Sequence, residues 1–474
     1  MPITQRIDGD IDFVDLHQQH PKRYPHLLQT VARLQSEQVS YDILFACPGE
    51  TLALNNGQLS HTETNSEFNT KTNANFLTAF DQCWRSESRD CTDDPRLPFR
   101  GGWFVFLSYE LAGQVEPSLV LPKSCAGALP TAFATRIPAA IIKNHRNNDI
   151  HIIAEQQYAD CVQIIADDVR LCQRQVKDTH KAASHLPDEP VVESIHEEDP
   201  AHYLQSVEKI KSYIKDGDVF QVNLSRLWQA RLKQHVSTTD IYRRLRLSNP
   251  APFFALATYK QHAIISSSPE RLVSVTNRII QTRPIAGTRP RGHSKSKDIA
   301  NLNELIAHPK ERAEHIMLID LERNDVGRVS IPGSVKVNEL MVLESYAHVH
   351  HIVSNIQGQL PASTSPGDVI NAVFPGGTIT GCPKVRCMEI LAELEQSPRG
   401  AYTGSLGYVN HDGSMDFNIL IRTLVKSQRE ISLRAGGGIV ADSVAEKELQ
   451  ETRAKAKGLL LALGVDVSDD NRTD

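Results

Sequence analysis

The chain has no Cys-x-x-Cys pair. Its eight cysteines stand at 47, 83, 91, 125, 161, 172, 382 and 387. That spacing fits neither a zinc ribbon nor a disulfide framework, so reduced thiols in a cytoplasmic protein are expected. No uncharged apolar run approaches the ~20 residues of a membrane helix. The opening Met-Pro-Ile-Thr-Gln-Arg-Ile-Asp-Gly-Asp lacks the basic start and apolar stretch of a signal peptide. Nor is there a surplus of positive charge. Against 51 Lys and Arg stand 57 Asp and Glu, a net charge of −6, which argues against a surface built for nucleic acid or an anionic membrane. Tandem repeats, heptad seams and low-complexity tracts are absent too. A small molecule or another protein remains as the expected partner.

What is present is the composition of a soluble globular protein, 40% hydrophobic and 23% charged in 474 residues. That length corresponds to about three domains, or to one large enzyme unit. A polar stretch broken by three prolines, Gln175 to Pro200, divides the chain. The organisation expected is an N-terminal segment 1–175, a linker 176–198 and a catalytic domain 199–465. In the first part, 41–46, 103–107, 139–142 and 149–154 have strand character, and 159–176 reads as a helix. In the second, Asp199 is placed to cap a helix with Tyr203, Val207, Ile210 and Ile214 on its apolar face. Strands are expected at 219–227, 253–258, 263–266, 271–275, 405–409, 417–425 and 431–435. Helices are expected at 310–321, 366–373, 384–394 and 444–463. Strands in runs separated by long helices indicate an α+β fold.

Two of those helices carry the same acidic device. Glu311 and Glu314 are three apart on one, Glu448 and Glu451 on the other. Residues three apart share a helix face, so each helix can present two carboxylates to one point, a donor set suited to Mg²⁺. Solvated Glu-x-x-Glu pairs are equally ordinary. The turn Phe374-Pro-Gly-Gly-Thr-Ile-Thr-Gly-Cys-Pro-Lys enters a helix and can aim N–H groups at an anion. Ala435-Gly-Gly-Gly-Ile-Val-Ala-Asp ends a strand, and its glycines suit either a close backbone approach or a bulge. His351 can serve as a general acid or as a structural histidine. Arg422 lies in an apolar strand, where its charge requires an anion, either from a substrate or from an internal carboxylate. Glu270 can donate a proton or cap a turn.

In this order the motifs resemble the chorismate-utilising enzymes: anthranilate synthase component I, aminodeoxychorismate synthase component I, isochorismate synthase and salicylate synthase. The resemblance rests on Asp218-Val-Phe-Gln-Val-Asn-Leu-Ser, Ser267-Ser-Pro-Glu-Arg, Arg283-Pro-Ile-Ala-Gly-Thr-Arg-Pro-Arg-Gly and Asp320-Leu-Glu-Arg-Asn-Asp-Val-Gly-Arg-Val. It rests also on His351-Ile-Val-Ser-Asn, Gly377-Thr-Ile-Thr-Gly-Cys-Pro-Lys-Val-Arg, Ile421-Arg-Thr and Ala435-Gly-Gly-Gly-Ile-Val-Ala-Asp-Ser. It implies large, mostly antiparallel sheets packed with outer helices. It further implies Mg²⁺ held by Glu314 and Glu451, with Glu311 and Glu448 acting through water. Tyr402, Arg422, the Gly436, Gly437 and Gly438 backbone and Lys455 match contacts to the substrate's carboxylates. Thr378 matches a substrate loop, His351 the group assisting departure of the 4-hydroxyl, and Glu270 its acidic partner.

Gln221 stands where the isochorismate- and salicylate-forming members have a water-activating lysine, which favours the members that add ammonia. Gln221-Val-Asn-Leu, Asn249-Pro-Ala-Pro-Phe, Gly377-Thr-Ile-Thr-Gly and Met415-Asp-Phe-Asn-Ile-Leu-Ile-Arg-Thr resemble aminodeoxychorismate synthase. Ala286 resembles anthranilate synthase instead, because many aminodeoxychorismate synthases have a nucleophilic lysine there. The resemblance thus implies chorismate and ammonia as substrates of an aminodeoxychorismate synthase leading to 4-aminobenzoate and folate. Anthranilate synthase component I is the alternative. Lacking a recognisable glutaminase module, the chain is expected to receive ammonia from a glutamine amidotransferase subunit.

Overall fold

In the strand Gly102–Leu107, Phe104 and Phe106 point to one side and Trp103, Val105 and Leu107 to the other, and all five are buried. A strand with no polar face must be covered on both sides. Tyr41–Ala46 repeats the pattern. Ile43 and Phe45 join Phe104, Phe106 and Phe133 in one cluster, while Leu44 and Ala46 turn to another. Three layers of core follow from this alternation. The computed structural model describes residues 2–31, 40–63, 66–72, 74–88, 97–123, 127–179, 189–291, 294, 298–299, 303, 305, 309–345 and 349–465.

The central layer lies between two 12-stranded sheets whose pairings are antiparallel. Outside the first sheet pack Phe13–Gln19, Ala159–Thr179, Thr238–Ser248 and Ala445–Ala462. Outside the second pack Phe76–Glu87, Pro309–Gly327 and Pro366–Val373. The architecture is α+β, with large antiparallel sheets and outer helices. Both sheets draw strands from either side of the 176–198 stretch. His26–Gln29 pairs with Phe253–Tyr259 in one, and Gly102–Leu107 pairs with Ser405–Asn410 in the other.

Two expectations are corrected. The stretch expected as linker is helical to Thr179 and becomes a strand at Val192–Glu197; 180–188 lie outside the described residues. That strand pairs with Gln221–Leu232 at the sheet edge, where its polar residues stay wet. The continuous strand expected at 417–425 is two strands, Met415–Ile419 and Thr423–Ser427, belonging to different sheets. An apolar run does not reveal that its two halves lie on opposite layers. Asp199 caps Pro200–Lys215 by accepting from the Ala201 N–H at 2.9 Å, as expected. Among the described residues, no helix is long and apolar enough to cross a membrane.

Phe104 anchors the central layer. It is fully buried, stacks on His26 at 3.9 Å between ring centroids, and meets Phe45 edge-on at 5.3 Å. Phe104→Ala is expected to cost about 3–5 kcal/mol, the range for a buried aromatic truncated in a packed core. Denaturant unfolding checks this, and a loss below about 1 kcal/mol would show that the sandwich core is not continuous there.

Candidate active site

The site begins where two adjacent strands change sheets side by side. His262–Ser268 belongs to the first sheet and its successor Arg271–Thr276 to the second. Met415–Ile419 and Thr423–Ser427 make the opposite crossing. The two crossings are sewn together. The Ser267 N–H donates to the Arg422 carbonyl at 3.0 Å, the Ile419 N–H to the Glu270 carbonyl at 3.0 Å, and Ser268 Oγ to the Ile419 carbonyl at 2.5 Å. Arg422 takes a left-handed backbone, φ +53°, a conformation that makes the sharp turn and costs a residue with a Cβ about 1 kcal/mol. Glu270 and Arg422 are thus brought to one seam.

Burial sets the charges there. Glu270 is 6% exposed. Desolvation pushes its pKa up to about 7, against the opposing pull of the Thr378 hydroxyl, the Ile285 N–H and Arg422. Neither Glu270 Oε1 nor Thr378 Oγ1 meets a well-aligned hydrogen-bond partner among the described residues. His351 lies on Val349–Gln359, paired in register with Thr288 and Glu344. Burial pushes its pKa down to about 4, although the Gly287 backbone and Glu344 favour the charged form. Near neutral pH His351 is therefore a proton acceptor and not the general acid expected, and Glu270 is the group poised to give or take a proton. Burial also lowers the pKa of Arg422, while Tyr402, Glu451 and Glu270 counter it. No carboxylate among the described residues forms an ion pair with this guanidinium, so an anion in the cleft suits it.

Glycines 436–438 form the wall opposite. They lie in Glu430–Ile439, paired with Asn223, Leu224 and Ser225. A Cβ on Gly438 would stand 2.1 Å from Gln221 Nε2, and one on Gly436 2.8 Å from Tyr402 Oη. The glycines are required because side chains close on the backbone from neighbouring elements. Gln221 Oε1 is buried without a hydrogen-bond partner among the described residues. A Cβ on Gly437 would meet Glu448 Oε2 at 3.3 Å, Glu451 Oε1 at 3.5 Å and Lys455 Nζ at 3.7 Å. Lys455 already binds within the protein, to the Gly436 carbonyl at 2.9 Å and to Glu451 at 2.5 Å.

Glu448 and Glu451 therefore converge over the glycine strand, and their oxygens fit a hard divalent cation. The other acidic pair is on Pro309–Gly327, where Glu314 is partly buried; the side chain of Glu311 lies outside the described residues. Among the described residues, no three acidic, histidine or cysteine side chains converge as a ready-made metal site.

Several contributors were not singled out from the sequence. Asn223 Nδ2 donates to the Thr378 carbonyl at 3.1 Å, and its backbone N–H to the Thr380 carbonyl at 2.9 Å, holding the glycine turn against the wall. Arg399 ties Glu395 to the Asn223 carbonyl, at 2.7 and 2.6 Å, and lies over the Tyr402 ring. The Tyr203 hydroxyl is buried without a hydrogen-bond partner among the described residues, and burial, then Glu448, Tyr402 and Glu451, raise its pKa. Asn223 lies within the Gln221-Val-Asn-Leu motif and could have been found there. The other two carry no local signal.

A family model, "chorismate binding enzyme", matches residues 30–461. An anthranilate synthase component I-like protein of Synechocystis is 41% identical over 369 residues, 77% of this chain and 73% of that protein. Aminodeoxychorismate synthase component 1 of Bacillus subtilis is 52% identical over 261 residues, 55% of each chain. The crystal structure of anthranilate synthase component I from Streptococcus pneumoniae superposes with a TM-score of 0.76 at 30% identity, covering 90% of this chain and 93% of that one. The fold and the seam define a chorismate-utilising enzyme. The chain belongs to the chorismate binding enzyme family.

Arg422→Ala is expected to lower kcat/KM for chorismate by about a hundredfold, the scale for a buried charge-assisted contact, with KM carrying most of the change. Steady-state kinetics checks this. An unchanged KM would mean that Arg422 does not hold the substrate.

Proposed function

We propose that this chain is component I of an aminodeoxychorismate synthase, converting chorismate and ammonia to 4-amino-4-deoxychorismate and water. The observation that carries the reading is Gln221 Oε1, buried beside Gly438 with no hydrogen-bond partner among the described residues. An amide oxygen can accept an N–H and steer ammonia, but it is too weak a base to deprotonate water. The Gln221-Val-Asn-Leu and Asn249-Pro-Ala-Pro-Phe motifs favour the aminodeoxychorismate product, and a relative of that name is 52% identical over 261 residues. Ammonia would be supplied by a glutamine amidotransferase subunit.

In this reading Arg422, Tyr402 and the Gly436–Gly438 backbone hold the carboxylates of chorismate. Glu314 and Glu451, with Glu311 and Glu448 acting through water, would hold Mg²⁺, which when bound would neutralise the ring carboxylate and draw charge from the ring. Glu270 gives a proton to the departing 4-hydroxyl, and neutral His351 takes up the proton released as nitrogen enters the ring. One proton leaves ammonia and one reaches the hydroxyl, so the sum is balanced.

A second reading, anthranilate synthase component I, is favoured by Ala286 and by a cavity of about 440 Å³ bordered by Gln29, Phe253, Arg283, Glu344 and Tyr408. Glu344 also neighbours His351, so an occupant there can act on the site. Chromatography of the product from chorismate and ammonium salts, with and without aminodeoxychorismate lyase, decides. Anthranilate without lyase, and inhibition by tryptophan, would replace the first reading with the second.

Two further outcomes are expected. Glu451→Gln should abolish most turnover and weaken Mg²⁺ binding measured by calorimetry, and wild-type values for both would remove the metal from the proposal. kcat/KM at a fixed concentration of free ammonia should fall as pH rises through about 7, where Glu270 loses its proton. In Glu270→Gln that limb should vanish and the rate should be low throughout.

A further inference from the structure

Beneath the glycine turn lies a cluster of buried ionisable groups that the proposed chemistry does not use. Glu322 and Asp325, 5% and 2% exposed, project from Pro309–Gly327. Lys384, just beyond the turn, pairs with Asp325 at 2.5 Å. Lys384 and, less closely, Arg328 both favour the charged form of Asp325. With Lys384 committed to Asp325, Glu322 has no ion-pair partner among the described residues, and a buried carboxyl in that position is more stable with its proton. The groups facing it are Asp325 on its own helix, Lys384 from the following helix, the Thr282 hydroxyl from the second sheet, and Glu270 across the turn.

Its contact with the turn is direct. A Cβ on Gly377 would stand 3.3 Å from Glu322 Oε1 and 2.5 Å from Leu321 Cδ2. The helix residues Leu321 and Glu322 are therefore the floor on which Gly377–Ile379 rests. From above, Asn223 holds the Thr378 carbonyl. Thr378 has its hydroxyl turned to Glu270, so the height of this floor sets where that hydroxyl stands.

We propose that Glu322 is a positioning residue: held neutral in its pocket, its carboxyl supports the Gly377–Ile379 turn and keeps Thr378 against Glu270. This rests on the reading of the seam as the reaction centre, and is independent of which nucleophile or product the enzyme uses. Ionising Glu322 places an unbalanced charge beside the turn's backbone and the Glu270 carboxyl, and the turn shifts away. Burial and Asp325 push the Glu322 pKa up to about 8, with Lys384 and Thr282 opposing, so the neutral form prevails near neutral pH.

Glu322→Gln keeps the size and the neutral, hydrogen-bonding character, and isolates the proton. The pKa is raised in the folded chain, so the protonated carboxyl is progressively more costly to retain as pH climbs from the ordinary carboxylate range to about 8, and constant beyond. The difference in Tm, variant minus wild type, should therefore grow from pH 5 to 8 and then level off. This needs no substrate. Chorismate consumption, followed whatever the product, should show similar kcat for both proteins at pH 7. The ratio of variant to wild-type kcat should rise above pH 8, with KM for chorismate unchanged because, in this reading, Arg422 and Tyr402 hold the substrate's carboxylates. The Glu270 limb, present in both proteins, largely cancels in the ratio. A Tm difference that does not vary with pH, or a kcat ratio that stays flat through pH 9, overturns the proposal. Failure of the amination reading would appear separately, in the identity of the product.

Discussion

The site depends on one constraint, the paired crossing of strands from one sheet to the other at Ser268–Arg271 and Ile419–Thr423. At a crossing the backbone leaves its ladder, and its N–H and C=O groups must find new partners. Here they find each other. Ser267, Ser268, Ile419, Glu270 and Arg422 close the seam with their own main chain and hydroxyls. The side chains of Glu270 and Arg422 are left together at the seam, buried, each acting on the other's charge.

Burial then assigns protons. The same desolvation raises Glu270 and Glu322 and lowers His351, because each is more stable uncharged away from water. Around them the cations are spent differently. Lys384, Lys455 and Arg399 are paired with carboxylates inside the protein, whereas no carboxylate among the described residues pairs with Arg422. At the seam Arg422, unpaired by any carboxylate among the described residues, stands near Glu270, a carboxyl able to carry a proton near neutral pH, an arrangement suited to an anionic substrate.

Much of this was legible. The Asp199 cap, the helix faces, the Glu448–Glu451 spacing and the glycine-rich wall follow from local rules of period and backbone freedom, and the structure puts them where those rules indicate. Lys455 was expected to face substrate, but it is held by Glu451 and the Gly436 carbonyl, partners four and nineteen residues away. The 417–425 run concealed a sheet change. The polar 192–197 stretch was taken for linker, because an edge strand needs no alternating apolar face when one side is wet. Arg399 left no trace, and the roles of Tyr203 on its helix face and Glu322 within its motif were not legible, since their significance lies in neighbours far along the chain.

What the sequence determined by itself is therefore the inventory: which residues can form strands and helices, which glycines admit a close approach, which acids share a helix face, and which family the motifs belong to. Tertiary structure alone decided which charges are matched and which are left over. An ion pair or a desolvated carboxyl is a property of two or more segments brought within a few ångströms, and Coulombic and desolvation energies depend on that distance and enclosure rather than on residue type. Glu270, Glu322 and Glu395 are the same amino acid. Their surroundings raise the pKa of the first two, whereas Arg399 and Arg434 hold the third ionised despite its burial.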